Sequence, residues 1–285
     1  MNIMKLRPLF LAISLVFISA SIFSIFKWGF RPSIDFAGGS IWEISLPSQP
    51  HQDQVSDIFA SRDIPILSLS SHLGQYTIKF QNINQQQKDD LNEALRQLDA
   101  DFSQSRFETL SPSLGKELLK KTVFAIVLSS LALFLFIGRR FKDRSFGISA
   151  VLAMFHDTFV LIGSFSLLGH FFGAELDTLF VTAVLTTLSA SVHDTVVTFD
   201  RVRELRLKNF KTKWVDLANQ AVSETLVRSV NNSMTIIFML LSLAVLGGDT
   251  TRWFAIALLI GAVLGTYSSF AVAAPILLLL KNRKK

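Results

Sequence analysis

The chain has 285 residues, of which 50% are hydrophobic and 26 are phenylalanine, and its mean hydropathy is +0.42. A water-soluble domain this apolar would expose large hydrophobic patches, so the composition indicates a membrane protein. The absence of cysteine excludes disulfides, thiolate catalysis and cysteine-ligated metals. The net charge of +6 is concentrated in short links and at the termini, which argues against a role in nucleic-acid binding.

Long windows between charged residues predict six transmembrane helices, each near or above the roughly 20 residues that cross a bilayer. The first window lacks a small-residue cleavage site, and we assign residues 8–30 to a retained first transmembrane helix. The other five helices fall within residues 119–285, in the windows 122–138, 145–174, 178–199, 229–248 and 253–280. The motif GAVLG in the last window predicts a face for close helix packing.

Residues 31–118, between the first two spans, are polar and long enough to form a folded domain. Hydrophobic spacing predicts, in order, a strand, a helix, two strands, a helix and a strand, at 40–46, 52–62, 64–70, 74–81, 84–100 and 102–111. This order is that of a ferredoxin-like α+β domain. No His, Ser or carboxylate arrangement inside it is typical of catalysis, so we expect binding or mechanical work.

Lysine and arginine cluster in the links that fall on one side of a six-span arrangement. Residues 139–144 contain four of them and residues 200–228 contain seven, and both termini are also basic. The opposite links, at 175–177 and 248–252, are short and poor in positive charge. By the positive-inside rule, both termini and the two basic loops are cytoplasmic, and residues 31–118 are extracytoplasmic.

Two aspartates, Asp157 and Asp194, lie inside apolar spans, in the similar contexts FHDTFV and VHDTVV. A carboxylate at this depth costs roughly 2.5–3.5 kcal/mol on insertion scales and usually marks an ion or proton pathway. The adjacent His156 and His193 point to other helix faces, and each is either a hydrogen-bonded interhelical histidine or a relay member. No ligand spacing typical of a metal site is present.

Helical spacing aligns polar residues on two neighbouring spans. One stripe includes Asp194 with Ser191 and Thr198, within a longer set that also holds Thr187, Ala190 and Arg201, and the other includes Arg228 with Asn231, Asn232 and Thr235. If the stripes face each other, a movable Arg228 would switch Asp194 between holding and releasing a proton. The alternative is a static buried ion pair, or polar contacts that hold the helices together.

The stretch SIDFAGGS, residues 33–40, joins the first span to the predicted domain. Gly38 and Gly39 can adopt positive φ angles, and Asp35 can accept backbone hydrogen bonds in a turn. We interpret this stretch as the joint that passes membrane motion to the outer domain. The alternative is a simple connecting turn.

Five stretches together resemble the SecF family, the small subunits of SecD–SecF pairs and half-sized members of the resistance–nodulation–division (RND) superfamily. In the family's order they are IDFAGGS (34–40), LSPSLGKELLKK (110–121), FHD (155–157), SVHDTVVTFDRVRE (191–204) and TLVRSVNNS (225–233). The chain departs from the family pattern at His193, where Asn is usual, and at Ser111 and Ser229, where Gly and Thr are usual.

The resemblance implies an inner-membrane subunit that works with SecD, beside a SecYEG-type channel and its accessory proteins. Such a subunit uses the proton-motive force to help pull unfolded secreted polypeptides outward. Asp194 and Arg228 match positions implicated in proton passage, and Asp157 matches a further family aspartate. Neither covalent catalysis nor a cofactor is implied, and half of an RND unit needs SecD to complete it. A structural subunit that stabilises the translocon without conducting protons is the alternative.

Overall fold

The computed structural model describes residues 3–141 and 143–282, so Lys142 and residues 283–285 of the predicted basic segments lie outside the described residues. The chain divides into two compact units. The helical unit comprises Met1–Arg31 and Phe124–Lys285, and the α+β unit comprises Pro32–Val123.

The chain begins with a 3₁₀ turn, Ile3–Leu6, followed by α1, Arg7–Trp28. Pro8 stands in the first turn of α1, where its missing N–H leaves no hydrogen bond unmade. Gly29, with φ +67°, ends the helix. The predicted first span, 8–30, therefore agrees with α1 to within two residues.

The α+β unit has the predicted ferredoxin-like fold. Its elements are α2 (Ile34–Ala37), β1 (Gly39–Ser45), α3 (Gln52–Ala60), β2 (Ile66–His72), β3 (Gln75–Phe80), α4 (Gln85–Leu98) and β4 (Ser103–Leu110). The strands form an antiparallel sheet in the order β2-β3-β1-β4. Trp42 and Ile44 of β1 and Phe80 of β3 are fully buried with Phe59 of α3 and Leu95 of α4, so both helices cover one face of the sheet.

The other spans are α5 (Pro112–Arg140), α6 (Arg144–Phe172), α7 (Thr178–Lys208), α8 (Trp214–Leu246) and a last span. That span consists of α9 (Asp249–Ser268), a π-helical turn (Ser269–Ala273) and α10 (Ala274–Asn282). Within the described residues, six helices are long and apolar enough to cross a membrane, as predicted. Most of α6 and of the last span is buried, whereas α5 is almost entirely exposed.

Two predicted boundaries differ from the structure because helices extend beyond their apolar windows. α5 begins at Pro112, ten residues before its window, so the predicted domain end at residue 118 falls inside a continuous helix. The link predicted at 200–228 is mostly helical, since α7 continues to Lys208 and α8 begins at Trp214. Only 209–213 separate the two helices, which keeps α7 and α8 close to each other.

Candidate functional site

Asp157, on α6, is fully buried where α6, α7 and the last span meet. The hydroxyl of Ser191, on α7, donates to Asp157 Oδ2 at 2.7 Å. The hydroxyl of Ser268, at the end of α9, donates to the same oxygen at 2.5 Å. The structure therefore brings the predicted residues Asp157 and Ser191 together, and a single carboxylate joins three spans.

His156 completes this buried cluster, since its Nδ1 lies 2.9 Å from Asp157 Oδ1. The expectation that His156 points away from Asp157 is wrong, because the imidazole turns back toward the following residue although successive Cβ atoms diverge. Its Nε2 is buried and has no hydrogen-bond partner among the described residues, and the same is true of the Thr195 hydroxyl on α7. His193, by contrast, is exposed.

Small residues allow α9 to approach α7 closely enough for these hydrogen bonds. A methyl group at Gly261 would lie 2.0 Å from Thr187 Oγ1, and one at Gly265 would lie 3.4 Å from Ser191 Cα. The predicted close-packing face of the last span is thus confirmed. The π-helical turn begins directly after Ser268, and π-helical turns inside α-helices are frequent at functional sites.

Asp194 differs from Asp157 in its surroundings. It is half-buried on α7 and makes neither a hydrogen bond nor an ion pair with any described residue. The hydroxyl oxygens of Thr198 on α7 and Thr225 on α8 lie 3.3 Å apart. Arg201, one turn further along α7, pairs with Glu224, the residue before Thr225. Because α7 and α8 run antiparallel, one turn from the Thr198–Thr225 contact leads back to Asp194 on α7 and forward to Arg228 on α8. Asp194 and Arg228 therefore lie at the same height along the two helices.

Arg228 itself is exposed and lines a polar cleft of about 640 Å³ between α7 and α8. The other charged lining residues have partners. Arg201 pairs with Glu204 and Glu224, and Asp200 pairs with Arg140. Within the described part of the chain, Arg228 has no ion pair, so the expected contact between Asp194 and Arg228 is not formed.

The remaining members of the two stripes are divided between the interior and the surface. Ser191 and Thr198 are buried, whereas Asn231 and Asn232 are exposed on α8. Polar side chains at membrane depth rarely face lipid and usually face protein or a water-filled cavity. The side of α8 that carries Arg228 and the two asparagines is therefore uncovered in the isolated chain.

The predicted joint lies in the α+β unit, where Ser33 caps the short helix α2 by accepting a hydrogen bond from the Asp35 N–H. Gly38 and Gly39 have φ angles of +80° and +146°, as the sequence predicted. A methyl group at Gly38 would lie 2.6 Å from Pro112 Cα, at the start of α5. One at Gly115 would lie 2.8 Å from the Phe36 carbonyl oxygen. The two motifs at the ends of this unit are thus packed backbone against backbone.

Sequence reasoning missed two residues of the site, Ser268 and Thr225. It also missed the contact of His156 with Asp157. Ser and Thr are common in membrane helices, and only their positions across from an ionisable residue distinguish these two. Among residues 3–141 and 143–282, no group of three His, Asp or Glu side chains could hold a metal ion.

Comparison with known proteins gives consistent relationships. Residues 90–283 match the family described as protein export membrane protein SecD/SecF, C-terminal. The protein translocase subunit SecF of Thermobaculum terrenum is 36% identical over 99% of this chain and 94% of its own length. The protein of the same name from Sebaldella termitidis is 34% identical over 100% of this chain and 93% of its own length.

Two solved structures share the fold. SecDF from Thermus thermophilus, described as a translocon-associated membrane protein, superposes with a TM-score of 0.88 at 27% identity over 99% of this chain. SecDF in a super-membrane-facing form gives a TM-score of 0.74 at 27% identity over the whole of this chain. This chain spans only 39% of the length of either SecDF chain.

Proposed function

This chain belongs to the SecD/SecF family of protein export membrane proteins, and on that premise we propose that it is a SecF-type subunit of a Sec protein translocase. In this proposal it acts with SecD, beside a SecYEG-type channel and its accessory proteins. Together they use the proton-motive force to promote the export of unfolded preproteins across the cytoplasmic membrane. The subunit carries out no covalent catalysis and needs no cofactor.

The membrane arrangement follows from the distribution of positive charge. Both termini, the connection at 139–144 and the segment around 209–213 face the cytoplasm, and the α+β unit faces outward. Because α5 is continuous from Pro112 to Arg140, a tilt of this span would reach the joint at Gly38 without a flexible break. This arrangement supports a mechanical role for the α+β unit.

The SecD partner is supported by the uncovered polar side of α8. Arg228, Asn231 and Asn232 are exposed at membrane depth, where lipid would leave their hydrogen-bonding groups unsatisfied. α5 supports a partner less strongly, because the exposed residues of its apolar window, 122–138, suit lipid as well as protein. SecD, seated against α7 and α8, would cover the polar side and enclose Asp194.

The proton step rests on one observation: Asp194 is half-buried at the height of Arg228, and among the described residues neither side chain has an ion-pair partner. When Arg228 approaches, Asp194 stays ionised. When Arg228 withdraws into the cleft, Asp194 takes up a proton. One charge crossing the membrane field is worth about 2.3 kcal/mol per 100 mV. That energy is sufficient to bias a motion between states that differ by a few kcal/mol.

A second candidate function is a structural subunit that stabilises the translocon without conducting protons. The hydrogen bonds around Asp157 favour it, because Ser191, Ser268 and His156 together occupy both carboxylate oxygens. In the first proposal Asp157 is a further relay member. In the second it is an interhelical contact only.

Export of a preprotein into inverted vesicles that contain the channel, SecD and this chain tests the two candidates. We expect Asp194→Asn to preserve insertion and SecD binding, because the amide is nearly isosteric, and to abolish the stimulation by a proton gradient. Asp216→Asn, in the first turn of α8, removes an exposed carboxylate that does not line the cleft and should retain that stimulation. Full gradient-dependent export by Asp194→Asn would favour the structural candidate.

A further inference from the structure

A small pocket lies where the basic ends of α6, α7 and α8 meet, and it shares no lining residue with the proposed proton cleft. Its volume is about 210 Å³, and its walls include Phe141, Phe146 and Trp214. Arg203 and Arg206, from the last turns of α7, line it as well. None of the residues assigned to proton passage belongs to this lining.

Two arginines contribute positive charge to the pocket that no described carboxylate neutralises. Arg203 makes no hydrogen bond or ion pair with a described residue. The Arg206 guanidinium carbon lies 4.7 Å from the centre of the Trp214 ring and 4.8 Å from that of the Phe210 ring, and among the described residues its Nη1 donates to the Thr212 carbonyl oxygen, at 2.8 Å. The one acidic residue of the lining, Asp143, is already paired with a lysine, Lys281.

The two aromatic rings and the bond to Thr212 hold the Arg206 guanidinium in place, and that bond uses one of its five N–H groups. Planar guanidinium groups suit the oxygens of a phosphate, which they can bind through two parallel hydrogen bonds. The volume lies below the roughly 300–1,000 Å³ of pockets for drug-sized ligands. The pocket therefore suits a phosphodiester with a small substituent better than a nucleotide.

The rim of the pocket combines exposed apolar side chains with positive charge. Leu207 and Phe210 are each 75% exposed, next to the exposed Lys208 and Lys211. From Thr178 to Arg206, α7 rises about 42 Å at 1.5 Å per residue. A bilayer including its headgroups is about 40–45 Å thick. If α7 begins at the outer surface, the pocket lies at the level of the headgroups of the opposite leaflet.

We propose that this pocket binds the headgroup of an anionic phospholipid from the cytoplasmic leaflet, with Arg203 and Arg206 holding the phosphodiester. The exposed Leu207 and Phe210 contact the adjoining acyl chains. The proposal rests on the membrane arrangement proposed above but not on proton conduction. Basic pockets between transmembrane helices on the cytoplasmic side are suited to such headgroups.

The test uses the full chain in nanodiscs of phosphatidylglycerol and phosphatidylcholine, released into the gas phase for native mass spectrometry. We expect the protein to retain phosphatidylglycerol in preference to phosphatidylcholine. Arg203→Gln and Arg206→Gln should each lower that retention roughly fivefold, and the double variant about thirtyfold. The matched pair Lys208→Gln and Lys211→Gln, at the rim but outside the lining, removes the same number of charges and should lower retention by about fivefold at most, clearly less than the double arginine variant.

Three results would overturn the proposal: equal retention by the double arginine variant, an equal loss with the lysine pair, or displacement of the lipid by inorganic phosphate at equal concentration. The last result would identify a free anion as the ligand. Because Arg203 is exposed and unpartnered, Arg203→Gln leaves the packing intact and keeps the test valid if Arg206→Gln fails to fold. Lipid retention is measured without export or a gradient, so its outcome is independent of the proton relay.

Discussion

Replacement of Asp157 by alanine removes the acceptor on which three buried side chains depend. Ser191 and Ser268 would each lose a hydrogen bond of 2.7 Å or shorter, and the His156 ring would lose the one hydrogen bond that it makes to a described residue. Interhelical hydrogen bonds in membranes contribute about 0.6 kcal/mol on average and at most about 1.7 kcal/mol. We therefore expect Asp157→Ala to lower the free energy of unfolding by about 2 kcal/mol, with an upper bound of about 5 kcal/mol.

The assay is equilibrium unfolding of the full chain in mixed micelles of dodecyl maltoside and SDS, followed by tryptophan fluorescence. Ser164→Ala is a matched control on the same helix, because the Ser164 hydroxyl donates to the Val160 carbonyl oxygen of its own helix at 2.8 Å. Asp157→Asn keeps one acceptor oxygen and should lose less than about 1 kcal/mol. The reasoning is refuted if Asp157→Ala costs no more than Ser164→Ala.

Three further predictions concern the membrane arrangement and the α+β unit. Ser71→Cys, the only cysteine in the chain, should react with an impermeant maleimide in intact cells; reaction only after the inner face is exposed would contradict the proposed topology. Gly38→Ala should lower the unfolding temperature in detergent, because its φ is +80° and its Cβ would meet Pro112; Gly138→Ala, with open space around it, should not. The two hydrogen bonds donated by Ser48 hold the pKa of the Asp99 carboxyl below its usual value, although burial opposes them. This stabilisation is present above the unfolded pKa of about 4 and is lost as the pH falls through the lower folded value. The protection of the Leu46, Ser48 and Gln49 amides against hydrogen exchange, relative to the unfolded chain at the same pH, should therefore fall there, and equal protection in Ser48→Ala at neutral pH would contradict this role.

The fold was predictable from the sequence because its two kinds of hydrophobic pattern, long apolar windows and short alternating runs, are easily distinguished. Six long apolar windows, of which two contain a single aspartate, give the spans, and alternation around Trp42 and Tyr76 gives strands of the α+β unit. Boundaries were less predictable. The amphiphilic run from Pro112 to Lys121 is helical but too charged to belong to an apolar window, so α5 is longer than predicted.

Spacing along a single helix predicted which residues of the candidate site share a face of that helix, but not which residues of different helices meet. Spacing on α7 identified Ser191 and Asp194 as members of one stripe, yet the structure buries Ser191 against Asp157 and leaves Asp194 half-exposed. The position of Ser268 depends on how closely Gly265 lets α9 approach α7, which is a property of packing between helices. Arg228 lies on the exposed side of α8, so no packing within this chain fixes the orientation of its side chain.

Proton flux through vesicles that contain SecD and this chain, driven by an imposed membrane potential and followed with an internal pH-sensitive dye, tests the central claim most directly. The account predicts flux for the unaltered pair and for Asp216→Asn, whose exposed carboxylate lies outside the cleft lining. It predicts flux at the level of protein-free vesicles for Asp194→Asn, which cannot carry the proton, and for Arg228→Ala, which lacks the switching charge. Flux through Asp194→Asn equal to that of the unaltered pair would contradict the account.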